Sequence, residues 1–315
     1  MDNFWKNKKI LITGAHGFVG RHLVYNLINK RGVRRNNLSL PTPKELDLRE
    51  RNNCRTAVKG IDIVIHLAGV VGGIGYNREI PGQMFFDNLV MGVFLMEEAR
   101  LAGVNKVVNI GTVCSYPKFT PVPFKEEDLW SGYPEDTNAP YGLAKKMLLV
   151  QSQAYRQQYK FNSIFLIPVN MYGPGDKYDP RKSHVIPALI KKVIDAKKNE
   201  ENKITVWGTG KPTREFLYVE DAVEGILLAT EKYNKSEPVN LGTSYEISIK
   251  DLTFLICELL GFKGKIIWDK SKPDGQPRRK LDITRAKKEF GFEAKIDFRE
   301  GLKKTIDWYK NELGL

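Results

Sequence analysis

Cysteine is nearly absent: Cys54, Cys114 and Cys257 are the three in 315 residues. An odd number at such distances makes neither a disulfide framework nor a zinc pattern. That excludes a small stapled secreted fold and leads to the expectation of a reducing, cytoplasmic setting with no bound metal. Long apolar runs are also missing. None approaches the roughly 20 residues that a bilayer span needs, so no membrane partner is expected. The start, 1-MDNFWKNKKILIT-13, has no apolar signal core and no small-residue cleavage site, and is read as carrying no signal peptide. Internal repeats and low-complexity tracts are lacking too. Acids are outnumbered, 37 against 50 Lys and Arg, for a net charge of +13. The excess is spread along the chain without a basic–aromatic module, so nucleic acid is not an expected partner. Two readings of the charge stay open: a solvated lysine-rich surface, or a basic pocket for a phosphorylated small molecule.

What is present is an alternation. The runs 9-KILIT-13, 62-DIVIHLA-68, 106-KVVNIGT-112 and 164-IFLIPVN-170 are short, rich in Val and Ile, and read as strands buried on both faces. Between them, 18–30, 81–103 and 141–159 have helical length and apolar spacing. Alternation of this kind predicts an α/β fold, a doubly wound parallel Rossmann sheet with helices on both faces. After about residue 175 Pro, Gly and charge become denser, with helical stretches at 184–198, 219–232, 249–260 and 298–313. The division expected is a dinucleotide-binding domain over 1–175 and a smaller, mainly substrate-binding α/β part over 176–315, with some of the chain crossing back.

The segment 9-KILITGAHGFVGRHL-23 reads as strand, glycine loop, helix, with Gly14, Gly17 and Gly20 spaced G-x-x-G-x-x-G. One glycine permits the turn, one lets backbone approach a pyrophosphate, and one packs helix on strand. This spacing resembles the extended, nucleotide-sugar-modifying branch of the short-chain dehydrogenase/reductase superfamily. In that branch an Asp after the third strand holds the adenine, and Asp47 of 44-KELDL-48 is matched to it. The end of the second strand, 38-LSLPT-42, has no acid for a ribose 2′-hydroxyl, which leans toward NADP(H). Lys44 is the nearest cation, and His16 in the loop either borders a 2′-phosphate or is simply exposed.

Tyr141 and Lys145 stand four apart in 141-YGLAK-145, on one face of a helix. A nearby ammonium is expected to lower the tyrosine pKa from about 10, and the phenol then exchanges a proton with a carbonyl or alcohol oxygen. Thr112, at the end of a strand, completes a Thr-Tyr-Lys set. The two positions after it are Val113 and Cys114, not the acidic pair of dehydratases, which argues against dehydration. Cys114 alone reads as either packing or a working thiol, and His184 in 183-SHVIPALIKK-192 as either a helix cap or an acid. Arg181 and Lys182 are the cations expected to favour a thiolate.

The blocks 64-VIHLAGVVGGIGYNREIP-81, 111-GTVCSYPKFTPVPFKEEDLW-130, 168-PVNMYGPGDKYDPRKSHVIPALI-190, 204-ITVWGTGKPTREFLYVED-221 and 273-PDGQPRRKLD-282 resemble the GDP-L-fucose synthase family over nearly the whole chain. That resemblance implies a homodimeric, multifunctional oxidoreductase and isomerase using NADP(H). It implies a GDP-sugar substrate epimerised at carbons 3 and 5 and reduced at carbon 4. Cys114 and His184 match the epimerising base and acid, Tyr141 the proton donor in reduction, and Lys145 the ribose-binding lysine. Thr112 stands where the family commonly has Ser. Cofactor contacts are implied at Gly14, Ala15, His16, Gly17, Phe18, Val19, Gly20, Pro168, Asn170 and Met171, and substrate contacts at Lys192, Trp207, Arg214 and Asp274. Where some members place arginines after the second strand, Pro41 and Pro43 stand here.

Overall fold

A computed structural model describes residues 4–272 and 274–315. In chain order its strands are β1 (Ile10–Thr13), β2 (Leu38–Ser39), β3 (Ile63–His66), β4 (Lys106–Ile110), β5 (Ser163–Pro168), β6 (Asn170–Tyr172), β7 (Lys203–Trp207), β8 (Thr213–Tyr218), β9 (Val239–Leu241), β10 (Glu246–Ser248) and β11 (Lys265–Asp269). The helices are α1 (Phe18–Asn29), α2 (Arg51–Ala57), α3 (Ile74–Glu79), α4 (Pro81–Leu101), α5 (Ala139–Tyr159), α6 (Val185–Lys198), α7 (Val219–Lys232), α8 (Ile249–Leu259), α9 (Thr284–Phe290) and α10 (Phe298–Glu312).

Six strands form a parallel central sheet in the order β2-β1-β3-β4-β5-β9. β1, β3, β4 and β5 are buried at every position, as Val/Ile-rich runs covered on both faces must be. Helices α2, α4 and α5 pack side by side, and so do α1, α7 and α9, which gives each face a layer of helices. The doubly wound fold read from the alternation is the one observed.

The run 164–170 divides into two strands. β5 stays in the central sheet, and β6 departs to pair with β8 in a three-stranded sheet ordered β10-β8-β6. β7 and β11 make a separate parallel pair. The apolar interior falls into two clusters. The first surrounds the central sheet and takes in Leu217, Val239, Leu281 and Phe292 from the later part of the chain. The second gathers Ile190, Val206, Phe216, Ile256 and Leu302. No helix among the described residues is long and apolar enough to cross a membrane.

Candidate active site

One cleft of about 1110 Å³ runs along the carboxyl ends of the central strands and on between the two apolar clusters. Single-ligand pockets fall roughly between 300 and 1,000 Å³, so the space suits two ligands end to end. Of the catalytic, cofactor and substrate residues expected from the sequence, Ala15, His16 and Asp47 lie outside its lining, and the others line it.

At one end the strand order turns about β1, with β2 on one side and β3 on the other. A crevice opens at such a switch point. The glycine loop fills it: the Gly17 N–H donates to the Gly14 carbonyl at 3.0 Å. A Cβ on Gly20 would lie 2.2 Å from the Gly14 oxygen and 2.6 Å from Ala15 Cα, so only glycine lets α1 close on the loop. Gly17 caps α1 without a side-chain hydrogen bond, which leaves the helix N-terminus to an anion. Lys145, Pro168, Asn170 and Met171 also line the cleft. These residues fit a dinucleotide.

One expectation at this end is corrected. Asp47 does not follow the third strand. β2 is only two residues long, so Asp47 falls between β2 and α2. There its carboxylate takes Arg49 at 2.7 Å, which holds its pKa below the usual range. His16 is exposed, lies outside the cleft lining and hydrogen-bonds the Leu40 carbonyl, just past the end of β2, at 3.0 Å. It brings Arg21 with it, whose Nε donates to the His16 carbonyl at 2.9 Å. Arg21, which sequence reasoning did not single out, is thereby tied to the glycine loop.

In the middle of the cleft, β4 ends at Ile110 and Thr112 caps a single 3-10 turn, Val113–Ser115. The Thr112 Oγ1 accepts the Cys114 N–H at 3.2 Å. The turn is clamped to α5: Ser115 Oγ donates to the Gly142 carbonyl at 2.8 Å. A Cβ on Gly142 would meet the Cys114 carbonyl oxygen at 2.3 Å. Glycine here is what lets the neighbouring Tyr141 reach the turn. Lys145, one helical turn on, is buried and donates to the Ala68 carbonyl at 3.2 Å.

The electrostatics differ from the sequence expectation. Burial, with Cys114 adding to it, pushes the Tyr141 pKa up, not down. Burial also lowers Lys145 to about 8, so the ammonium that was to lower the tyrosine is itself weakened. Tyr141 therefore holds its proton. The cation on Cys114 is not Arg181 or Lys182 either. Arg181 pairs with Glu79 at 2.9 Å and Lys182 lies over the Tyr76 ring. Instead the buried Arg279 places Nη1 3.7 Å from the Cys114 sulfur. His184 caps α6. Its ring opens to the cleft yet is walled by protein, and burial, then Lys177 and Arg279, depress its pKa.

The far end is cationic. Arg214 on β8 donates to the Thr213 and Asp274 carbonyls at 2.8 and 3.2 Å. Burial, then the like charge of Arg279, pushes it down to about 9. Among the described residues neither guanidinium pairs with a carboxylate. Two such neighbours call for an anion. Lys192 reaches the Thr205 carbonyl, and burial lowers its pKa. Trp207 is 55% exposed, with the Lys272 ammonium over its ring at 5.5 Å. The Asp274 carboxylate is occupied by Thr209, whose N–H and Oγ1 donate to it at 2.7 Å each, so it shapes the Trp207 loop. Sequence reasoning also passed over Lys177, Gln276 and Arg279, which line the same cleft; in the sequence they belong to charged, loop-like stretches.

The model of the NAD dependent epimerase/dehydratase family matches residues 10–242. A protein named probable GDP-L-fucose synthase 1, from Oryza sativa subsp. japonica, is 38% identical over 307 residues, covering 96% of this chain and 92% of its own. Among solved structures, a GDP-6-OMe-4-keto-L-xylo-heptose reductase from C. jejuni superposes with a TM-score of 0.90 at 27% identity, over 99% of both chains. A GDP-L-fucose synthetase from Naegleria fowleri bound to NADP gives a TM-score of 0.87 at 27% identity, over 98% of this chain and 95% of its own.

Proposed function

This chain belongs to the NAD dependent epimerase/dehydratase family, and from that premise we propose that it makes GDP-L-fucose from GDP-4-dehydro-6-deoxy-D-mannose. Carbons 3 and 5 are epimerised and carbon 4 is reduced with NADPH. The observation that carries the reading is one cleft that joins the glycine loop, the Thr112–Tyr141–Lys145 set, the Cys114–His184 pair and the Arg214–Arg279 cations. A plain reductase or 4-epimerase has no use for the cysteine and histidine.

When bound along the glycine loop, Lys145 and Pro168–Met171, NADPH supplies the hydride for carbon 4. The chain's own groups do the rest. Arg214 and Lys192 take the diphosphate, and Trp207 offers its face to the guanine. Cys114 as thiolate removes the proton at carbon 3 or 5. The electron pair passes into the carbon 4 carbonyl, whose oxygen Tyr141 and Thr112 hold by hydrogen bonds. His184 returns a proton on the opposite face. The thiolate sets negative charge against Arg279, which relieves one of the cations that, after burial, depress His184. Tyr141, kept protonated by burial, gives its proton to the carbon 4 oxygen as the ketone becomes an alcohol.

The test is incubation with GDP-4-dehydro-6-deoxy-D-mannose and NADPH or NADH in D2O, with NMR of the product. Deuterium at carbons 3 and 5 and an L-fucose ring are expected, and Cys114→Ser should abolish the deuterium. A product that keeps the D-manno centres, or a Cys114→Ser variant that exchanges at the wild-type rate, sinks the assignment. A second reading, a 4-keto GDP-heptose substrate, is favoured by the C. jejuni superposition; faster turnover of that sugar would establish it. The reading extends to a homodimer formed through α4 and α5, which expose Phe86, Leu101, Val150 and Tyr159. Sedimentation should give twice the 35.9 kDa chain mass, and a monomer at micromolar concentration would exclude it.

A further inference from the structure

The segment before Leu281 runs alongside β8 and is bonded to it by backbone. Thr213 N–H donates to the Pro277 carbonyl and Glu215 N–H to the Arg279 carbonyl, each at 3.0 Å. Extended backbone turns successive side chains to opposite faces. Arg278 accordingly points outward and pairs with Glu246 at 2.6 Å. Arg279 points inward, is buried, and makes no ion pair with a carboxylate among the described residues. Its Nε donates to Gln276 Oε1 at 3.1 Å. Gln276, itself buried, donates through Nε2 to the Pro117 and Lys118 carbonyls at 3.3 and 3.0 Å. The chain of bonds therefore closes on the loop that carries Cys114, and ends with Arg279 Nη1 at 3.7 Å from the sulfur.

We infer that Arg279 is the counter-ion to the Cys114 thiolate when it forms, and that Gln276 is the positioning residue that fixes it there. The inference rests on the reading of Cys114 as the base. A thiol must lose its proton to solvent before it can take one from carbon, and a fixed cation favours that ionised form. The other charged or titratable groups facing the sulfur's surroundings are Tyr141 and Lys145 from α5, Arg214 from β8, and His184 with Lys177 across the cleft. Tyr141 keeps its proton and Lys145 is spent on Ala68. Arg214 also acts on the sulfur by charge, but it makes no hydrogen bond to it, is held by two backbone carbonyls and is assigned to the diphosphate. Arg279 is left as the guanidinium in contact.

The measurement is the pH dependence of iodoacetamide alkylation at Cys114, read by peptide mass spectrometry. Cys54 and Cys257 stay silent, since both are buried, with pKa values pushed up to about 12 and 11. Arg279→Gln should raise the alkylation midpoint by about one to two pH units. Arg279→Lys should retain part of the shift, because the cation remains. Gln276→Ala should give a smaller rise, because the cation is kept but no longer held. Equal midpoints in wild type and in folded Arg279→Gln overturn the inference. Alkylation is independent of turnover, so a shifted midpoint with undiminished deuterium exchange would condemn the assignment of Cys114 as base and leave the counter-ion standing.

Discussion

Replacing Tyr141 by Phe removes one hydroxyl from the cleft and leaves the ring that packs there. The Tyr141 hydroxyl makes no hydrogen bond to a described residue, so the variant should fold with stability within about 1 kcal/mol of wild type. On the proposed reading, reduction loses its proton donor. A positioned general acid contributes roughly 10²–10⁴-fold, about 2.7–5.4 kcal/mol of barrier at ~1.36 per tenfold. Epimerisation loses less, because Thr112 still holds the carbon 4 oxygen. One hydrogen bond to a developing oxyanion is worth about 1.5–3 kcal/mol, roughly 10–150-fold. Single-turnover NADPH oxidation and deuterium wash-in, measured on the same sample, separate the two. Oxidation should fall further than wash-in. Oxidation within threefold of wild type, or wash-in lost while oxidation survives, would refute the role. The wild-type pH profile carries a second check. Burial and Cys114 hold the Tyr141 pKa above its ordinary value, so reduction should show no loss assignable to this tyrosine below about pH 10.

Arg21 is bonded to the His16 carbonyl of the glycine loop, and on the proposed reading it reaches for the adenosine 2′-phosphate. Arg21→Ala should raise KM for NADPH by roughly 10–150-fold, the worth of a hydrogen bond to a charged group, and leave KM for NADH within about threefold. Equal changes for both cofactors would show that it does not read the phosphate. Lys106 lies in the core, its ammonium donating to the Thr230 and Tyr233 carbonyls at 2.5 and 2.6 Å, at the end of α7. Lys106→Met should cost about 1–3 kcal/mol by urea denaturation at pH 7, as those carbonyls lose their donor. Burial depresses its folded pKa from 10.5 to about 7. Between those pH values the unfolded chain holds the extra proton, so this lysine makes stability rise with pH. The variant should lack that rise; parallel pH curves would refute it.

The central sheet was legible because buried parallel strands leave continuous Val/Ile runs and the crossover helices leave periodic ones. β2 was also placed, at 38–42, though only Leu38 and Ser39 pair there, while Asp47 was assigned beyond a third strand that begins only at Ile63. Tyr141 with Lys145, and Thr112 at its strand end, could be found by spacing and order, whereas the roles given to Cys114 and His184 came from the family resemblance. Arg279 could not be found by spacing. In 277-PRRK-280 three cations look alike, and only backbone pairing with β8 decides which one faces the sulfur. The protonation of Tyr141 was out of reach for a different reason. Proximity to Lys145 is readable from spacing, but the desolvation that outweighs it depends on how deeply α5 is covered.

The pairing of Pro277 and Arg279 with β8 makes this stretch sensitive to length more than to composition. One residue inserted or deleted between Gln276 and Arg279 would slip the alternation by one and turn Arg278 toward Cys114 or leave Pro277 there. The swap would look harmless by charge count, since an arginine is exchanged for an arginine. It would also separate the Gln276 tether from the guanidinium it steadies and leave Glu246 on the outer face without its partner. Alignments of relatives should therefore admit varied residues at position 278 but no indels across 276–279.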